Sequence, residues 1–223
     1  MGLLRKIKGK LTHPMYLYSE KELDEYETFI EAHFGAYEKV FHEIVSPDIH
    51  LDIVIIPPTE DQPYYQLITM GMGAYCMNTP KSCKEYEWER AELVMHLPAD
   101  WKLESQQEED YWPIRYLKIS ARLPFQSNSW LGYGHTVSKD EHNSSFASNT
   151  ELCSIMLTKA HDRFDREVEL RLQNKKKINF YQCIPLYREE LAYKDVHGAD
   201  ALLELFQGEV SSILQIDRKN YGL

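Results

Sequence analysis

Disulfide bonding is the first thing this sequence makes difficult. Its 223 residues include four cysteines, Cys76, Cys83, Cys153 and Cys183, too few and too scattered for a disulfide scaffold and with no CxxC pair among them. Reduced, buried thiols are expected. Long apolar runs are missing too, since no stretch approaches the ~20 residues that a bilayer-spanning helix needs. Residues 1–10 carry Arg5, Lys6, Lys8 and Lys10 without an apolar run of signal-peptide length or a small-residue cleavage site. Lys6 also stands where an acylation motif wants Ser or Thr. A cytoplasmic protein is the expectation. GxSxG elbows, P-loops, kinase motifs and HExxH pairs are absent, which removes the common nucleophile, phosphate and zinc signatures.

Positive charge is also short. Lys and Arg total 25 against 35 Asp and Glu, a net charge of -10, and general nucleic-acid binding rests on the opposite balance. The deficit is local: residues 1–18 carry +4, residues 19–111 carry -15 and residues 112–223 carry +1. If that polarity survives folding as one acidic face, the partner is basic and the binding salt-sensitive. What the chain does have is a globular composition, 43% hydrophobic and 12% aromatic. One compact domain over residues 19–223 is expected, behind a basic leader at 1–18.

Ser19 followed by Glu22 reads as a capping box. Leu23, Tyr26, Phe29, Ile30, Phe34, Tyr37, Val40, Phe41 and Ile44 then recur at three- and four-residue spacing, predicting a helix over 20–45 that Ser46-Pro47 ends. Strands are predicted at 49–56, 64–70 and 92–97, the first two paired. Pro113 reads as the first position of a second helix, preceded by an exposed acidic loop over 103–110. Residues 125–150 read as mostly loop. Further strands fall at 153–158, 166–172 and 178–184, the last two a hairpin turned at 174–176, with a helix at 199–206. The fold class is α+β, a mixed and largely antiparallel sheet flanked by helices in a single layered domain.

Chemistry-bearing groupings are sparse. His135, Asp140, Glu141 and His142 share one loop and suit zinc or iron, yet a solvated polar loop accounts for them as well. Gly71-Met72-Gly73 starts like a dinucleotide fingerprint, but a tight turn explains it better. Glu92 and His96 lie four apart on one strand face, about 13 Å of rise and too far to bond directly; two unrelated residues at a sheet surface is the simpler reading. Catalytic residues, metal ligands and cofactors are therefore not assigned.

Five segments carry a resemblance. Residues 49–59 (IHLDIVIIPPT), 64–72 (YYQLITMGM), 91–101 (AELVMHLPADW), 112–124 (from WPI to ARLP) and 130–136 (WLGYGHT) stand in the order seen in the suppressor of fused domain family, and the likeness spans 19–217. The resemblance implies a mixed sheet flanked by helices and no enzymatic activity. It also implies protein binding: animal members bind a transcription factor, gripping a peptide as an added strand between this domain and a second one, a clamp a chain of this length does not complete. Bacterial single-domain members look like immunity proteins or antitoxins that neutralise a co-encoded toxin, often a nuclease.

The function expected is thus a non-catalytic immunity protein that binds a basic toxin through its acidic half. Tyr86, Glu87, Trp88 and Glu89 are the expected contacts, mixing aromatic and acidic side chains in an exposed loop, together with Glu108, Glu109 and Asp110. Trp88 fits the core equally well. The alternatives are a scaffold that captures an extended peptide by β-strand addition, and a metal-dependent hydrolase using His135, Asp140 and His142.

Overall fold

Ser19 and Glu22 form the capping box in the computed structural model, which describes residues 16–37, 39–43, 46 and 48–223. The Glu22 N–H donates to the Ser19 hydroxyl at 3.3 Å, and the Ser19 N–H donates to the Glu22 carboxylate at 2.9 Å. Helix α1 (Glu20–His33) begins there and buries Tyr26 and Ile30, with Phe34 just beyond. It is shorter than the spacing predicts. Gly35 takes a positive φ of 129° and its N–H closes back on the Ile30 carbonyl at 3.2 Å, so the chain turns out of the helix. Residues 39–41 then become a strand, and their match to the helical period is accidental; residues 38, 44 and 45 of the expected helix, Pro47 of its expected stop, and the residues before 16 lie outside the described residues.

Among the described residues the sheet has eight strands: β1 (Lys39–Phe41), β2 (Asp52–Ile56), β3 (Tyr64–Met70), β4 (Ala91–Pro98), β5 (Thr136–Ser138), β6 (Ser154–Lys159), β7 (Glu169–Arg171) and β8 (Lys177–Leu186). Their order is β1-β2-β3-β4-β8-β6-β5, and β7 pairs with β8 beyond the end of β6. Among the described strands only β4 and β8 run parallel to each other; the other strand pairings are antiparallel. The architecture is α+β, a mixed open sheet between helices.

Alternation along the strands sorts the core into two faces. Val54, Ile68, Val94, Ile178 and Phe180 pack with Tyr26 and Ile30 of α1 and with Phe34 just beyond it. Ile53, Leu67, Leu93 and Met95 pack on the other side with Trp112, Ile114 and Leu117 of α2 (Glu108–Ser127). Two shorter helices, α3 (Arg188–His197) and α4 (Ala199–Phe206), follow β8, and α4 lays Leu202 and Phe206 on Met156, Ile184 and Leu186.

Helix α2 also corrects an expectation. It starts at Glu108, not at Pro113, so Glu108, Glu109 and Asp110 form its first turn, where carboxylates are favoured by the helix dipole. Pro113 sits inside the helix and cannot donate to the Glu109 carbonyl. The Asn149 side-chain amide supplies that hydrogen bond instead, at 3.1 Å.

The turn after β3 depends on a glycine. Gly71 has φ +129°, and a Cβ there would lie 2.0 Å from the His50 carbonyl oxygen. Gly71→Ala is therefore expected to cost at least about 3 kcal/mol, the sum of backbone strain and a clash with backbone that cannot yield. Urea unfolding checks it, and a loss below about 1 kcal/mol would refute this reading of the turn.

Candidate functional site

An aromatic band lies where the sequence places its first contact group. After a 3-10 turn over Lys81–Tyr86, the Tyr86 ring stacks on Trp88 with centroids 4.6 Å apart, and Trp88 stacks on Trp130 at 5.7 Å with planes within 7°. Trp130 meets His135 edge-on at 4.3 Å. Tyr86 is 48% exposed and nearby Tyr133 39%. Trp88, Trp130 and Tyr133 border a cavity of about 500 Å³ whose other walls include Lys177, Asn179 and Tyr181. Trp88 is thus half-buried in a surface stack rather than a member of the main core.

The acidic neighbours are partly occupied. Glu87 receives both guanidinium nitrogens of Arg171, at 2.8 and 2.6 Å, and the bond to Arg171 lowers its pKa. Glu89 keeps one carboxylate oxygen, Oε2, buried with no hydrogen-bond partner. Arg171 also donates to the Lys175 carbonyl, while Lys176 and Asn174 bond Glu22 of α1. Burial pushes the Glu22 carboxyl upward, but the bonds from Lys176, Ser19 and Asn174 outweigh it and hold it at about 2.

Those contacts decide the fate of the charge polarity. Bases of the neutral half fold back onto acids of the -15 segment: Lys176 on Glu22, Arg171 on Glu87, Arg122 on Glu43 and Asp48, Arg115 on Glu108. Glu20, Asp24, Glu25, Glu27 and Glu31 of α1 meet no cation within ion-pair distance among the described residues. The acidic excess is therefore dispersed, with a remnant along α1.

The second contact group stands apart from the first. Glu108 pairs with Arg115, Glu109 accepts from Ser148, and the Asp110 carbonyl accepts from the Trp101 indole. The far end of α2 is what approaches Glu89, through Asn128 and Ser129 on Asn78 and the Met77 N–H on the Glu89 carbonyl. The two groups sit at opposite ends of a 20-residue helix, about 30 Å apart. In the His135–His142 loop Asp140 caps a turn by accepting from the His142 and Ser144 N–H groups, and among the described residues no group of three His, Cys, Asp or Glu could hold an ion.

Glu92 and His96 are in the interior, not at a sheet surface. Glu92, fully buried on β4, accepts from the Tyr18 hydroxyl (2.6 Å), the Thr69 hydroxyl (2.5 Å) and the Gly71 and Gly73 N–H groups (2.9 and 3.0 Å). Burial nevertheless raises its pKa to about 7, against the pull of those four donors. This carboxyl ties the segment around Tyr18 and the glycine turn to the sheet centre, a structural anchor. His96 lies two pleat repeats further along β4, and burial lowers its pKa to about 4. Its Nδ1 is 3.1 Å from the Ser212 hydroxyl and its Nε2 has no partner. Beside it opens the larger cavity of the molecule's α1 side, about 900 Å³. No sequence signal marks this cavity, because Ser212 and α4 reach it from more than a hundred residues away.

Among the described residues no helix is long and apolar enough to cross a membrane. The profile of the family described as Suppressor of fused protein (SUFU) matches residues 47–219. An uncharacterised protein of Ureaplasma parvum serovar 3 is 24% identical over 209 residues, covering 92% of this chain and 98% of that one. Among solved structures, a putative suppressor of fused homolog from Neisseria gonorrhoeae superposes with TM-score 0.60 at 14% identity, covering 89% of this chain and 93% of that chain. The Sufu–Fu complex gives 0.61 at 13% identity, covering 89% and 90%. Drosophila Suppressor of Fused gives 0.51 at 14%, covering 77% of this chain and 42% of that chain. At these identities the structural likeness is one of fold.

Proposed function

This chain belongs to the suppressor of fused family, and from that premise we propose that it is a non-catalytic protein-binding domain, acting as an immunity protein that neutralises a basic bacterial toxin. Protein binding is supported by the crystallised complex of a family member with Fu. The observation that carries the reading is the Tyr86–Trp88–Trp130 stack, because large, half-exposed, pre-ordered aromatic side chains supply contact area at low entropic cost. The carboxylates along α1 attract a basic surface during approach, so association slows as salt is added.

The test is co-expression with a candidate toxin, followed by binding of the purified pair. Restored growth and a complex are expected, with Trp88→Ala weakening binding about 30-fold, the effect of losing an interface anchor worth about 2 kcal/mol. A toxin that forms no complex, or one that binds the Trp88→Ala variant equally well, refutes the proposal.

A second reading has its own observation. Strand β5 (Thr136–Ser138) ends the sheet, paired only on its β6 side among the described residues, and such an edge accepts an added strand. A peptide array separates the two readings, since strand addition recovers a short linear binder and toxin neutralisation requires the folded toxin.

A further inference from the structure

The floor of the larger cavity is unusual for a sheet face packed under helices. His96 on β4 and Gln182 on β8 line it, and Gln66 on β3, outside the lining, is the register partner of His96; the three share the face on which Ile68, Val94 and Phe180 set an apolar pattern, and all are at least nine-tenths buried. Such placement is costly unless each polar atom is bonded. Gln66 donates to the Phe34 carbonyl at 3.1 Å. The Gln182 amide makes only two long contacts of 3.4 Å, to the Cys183 and Ser212 carbonyls. His96 Nε2 makes none. His96, Gln182 and Ser212 all line the cavity, and Ile184, Leu203, Phe206 and Val210 give it an apolar wall.

The charged rim decides the sign of what fits. Asp162 is engaged by Arg166 and His33, and Glu167 by Lys159. Asp61, Asp165 and Asp200, the last accepting from the Tyr133 hydroxyl but paired with no cation, then remain against Arg163, so an anion is disfavoured. An acceptor is also what the imidazole offers when its Nδ1–H donates to the Ser212 hydroxyl, since burial keeps the ring uncharged.

We infer that this cavity is a binding site for an alkylammonium group, whose N–H₃⁺ donates to His96 Nε2 and whose methylene stem lies on Ile184, Leu203, Phe206 and Val210. The lysine side chain of a protein and a free polyamine both carry that group. Because Nε2 is closed to solvent and the Tyr64 ring lies 4.7 Å from the imidazole, the ring swings aside as the ligand enters. The site is independent of the toxin reading, and either can fail alone.

Full-length protein is titrated with Nα-acetyl-lysine methylamide, with cadaverine, and with Nα,Nε-diacetyl-lysine methylamide and acetate as controls. The amines are expected to bind and to shift the His96 Nε2 resonance in ¹⁵N spectra, with at least a tenfold loss of affinity for the acetylated control. Tighter binding of the lysine amide identifies a protein side chain as the source, and tighter binding of cadaverine a free polyamine. His96→Phe is expected to weaken amine binding at least tenfold; should that variant not fold, the resonance shift in the unaltered protein carries the test. Amines that leave the His96 resonance in place, or acetate binding more tightly than either amine, overturn the inference.

Discussion

Arg218→Ala is expected to lower folding stability by about 3–5 kcal/mol, the effect of stripping one partner from a buried ion pair. Glu190 is fully buried on α3, and Arg218 meets it with two nitrogens, each bond 2.6 Å. The same guanidinium donates to the Pro185 and Lys219 carbonyls at 2.9 Å and lies over the rings of Tyr187 and Phe206. Glu190 also accepts from the Tyr187 and Tyr221 N–H groups. Removing Arg218 leaves a carboxylate in the interior with backbone donors alone, and leaves the chain end tied to α3 only through the Tyr221 N–H on Glu190 and the Asn220 side chain on Glu189. Glu190→Leu combined with Arg218→Met is expected to recover most of the loss, because an apolar pair has no charge to desolvate. Urea denaturation of the two variants and the unaltered protein measures both effects. A loss under 1 kcal/mol for Arg218→Ala would show that the pair is not anchoring the C-terminal segment.

The second large effect is on the pH dependence of stability. Glu92 titrates near 7 in the fold against 4.5 when unperturbed, so between those values the folded state holds a proton that the unfolded state has lost. Stability then falls as pH rises, by about 1.4 kcal/mol per pH unit, and the loss is complete above pH 7. His96 runs the other way. Its pKa of about 4 against 6.5 means that the unfolded state holds the extra proton, so stability rises with pH at the same slope between those values. From pH 4.5 to 6.5 the two slopes oppose and largely cancel. Other shifted groups act mainly outside that window. Glu22, Asp52 and Asp162, all lowered, lose their contribution as pH falls below about 4, and His50, raised by its bond to Asp52, loses its own above 6.5. His135, lowered by burial, adds to the His96 slope near pH 6. Glu92→Gln is expected to gain stability relative to the unaltered protein by about 1.4 kcal/mol per pH unit up to pH 7, and His96→Phe to show the reverse up to 6.5. Parallel stability curves for Glu92→Gln and the unaltered protein would show that the carboxyl is already ionised in the fold.

What the sequence discloses is what its neighbours in the chain determine. Ser19 and Glu22 cap a helix by themselves, and the β-branched runs of β2, β3 and β8 announce strands. The errors have distant causes. Pro113 reads as a helix start because its missing donor is replaced by Asn149, on a separate loop. Helix α3 has little apolar periodicity and is held through Glu190 by Arg218, which no local pattern announces. In the candidate surface, Tyr86 and Trp88 are recognisable as a pair, whereas Trp130 and His135 join them only through folding. The charge polarity is plain in the sequence and is undone by cross-chain pairs such as Glu22 with Lys176.

The parallel pairing of β4 with β8 also sets a timetable. Strands β1 to β4 pair with their neighbours in order along the chain, and Glu92 joins Tyr18, Thr69 and the glycine turn, all within the first hundred residues. As the chain leaves the ribosome, that half can assemble while β4 waits for β8, since Ala91 pairs with Asn179. During synthesis the middle strand of the finished sheet is thus an outer one, with unpaired backbone groups and an apolar face lacking half its cover. That interval, and not the finished surface, is when this protein is most exposed to aggregation, and it ends only when β8 arrives.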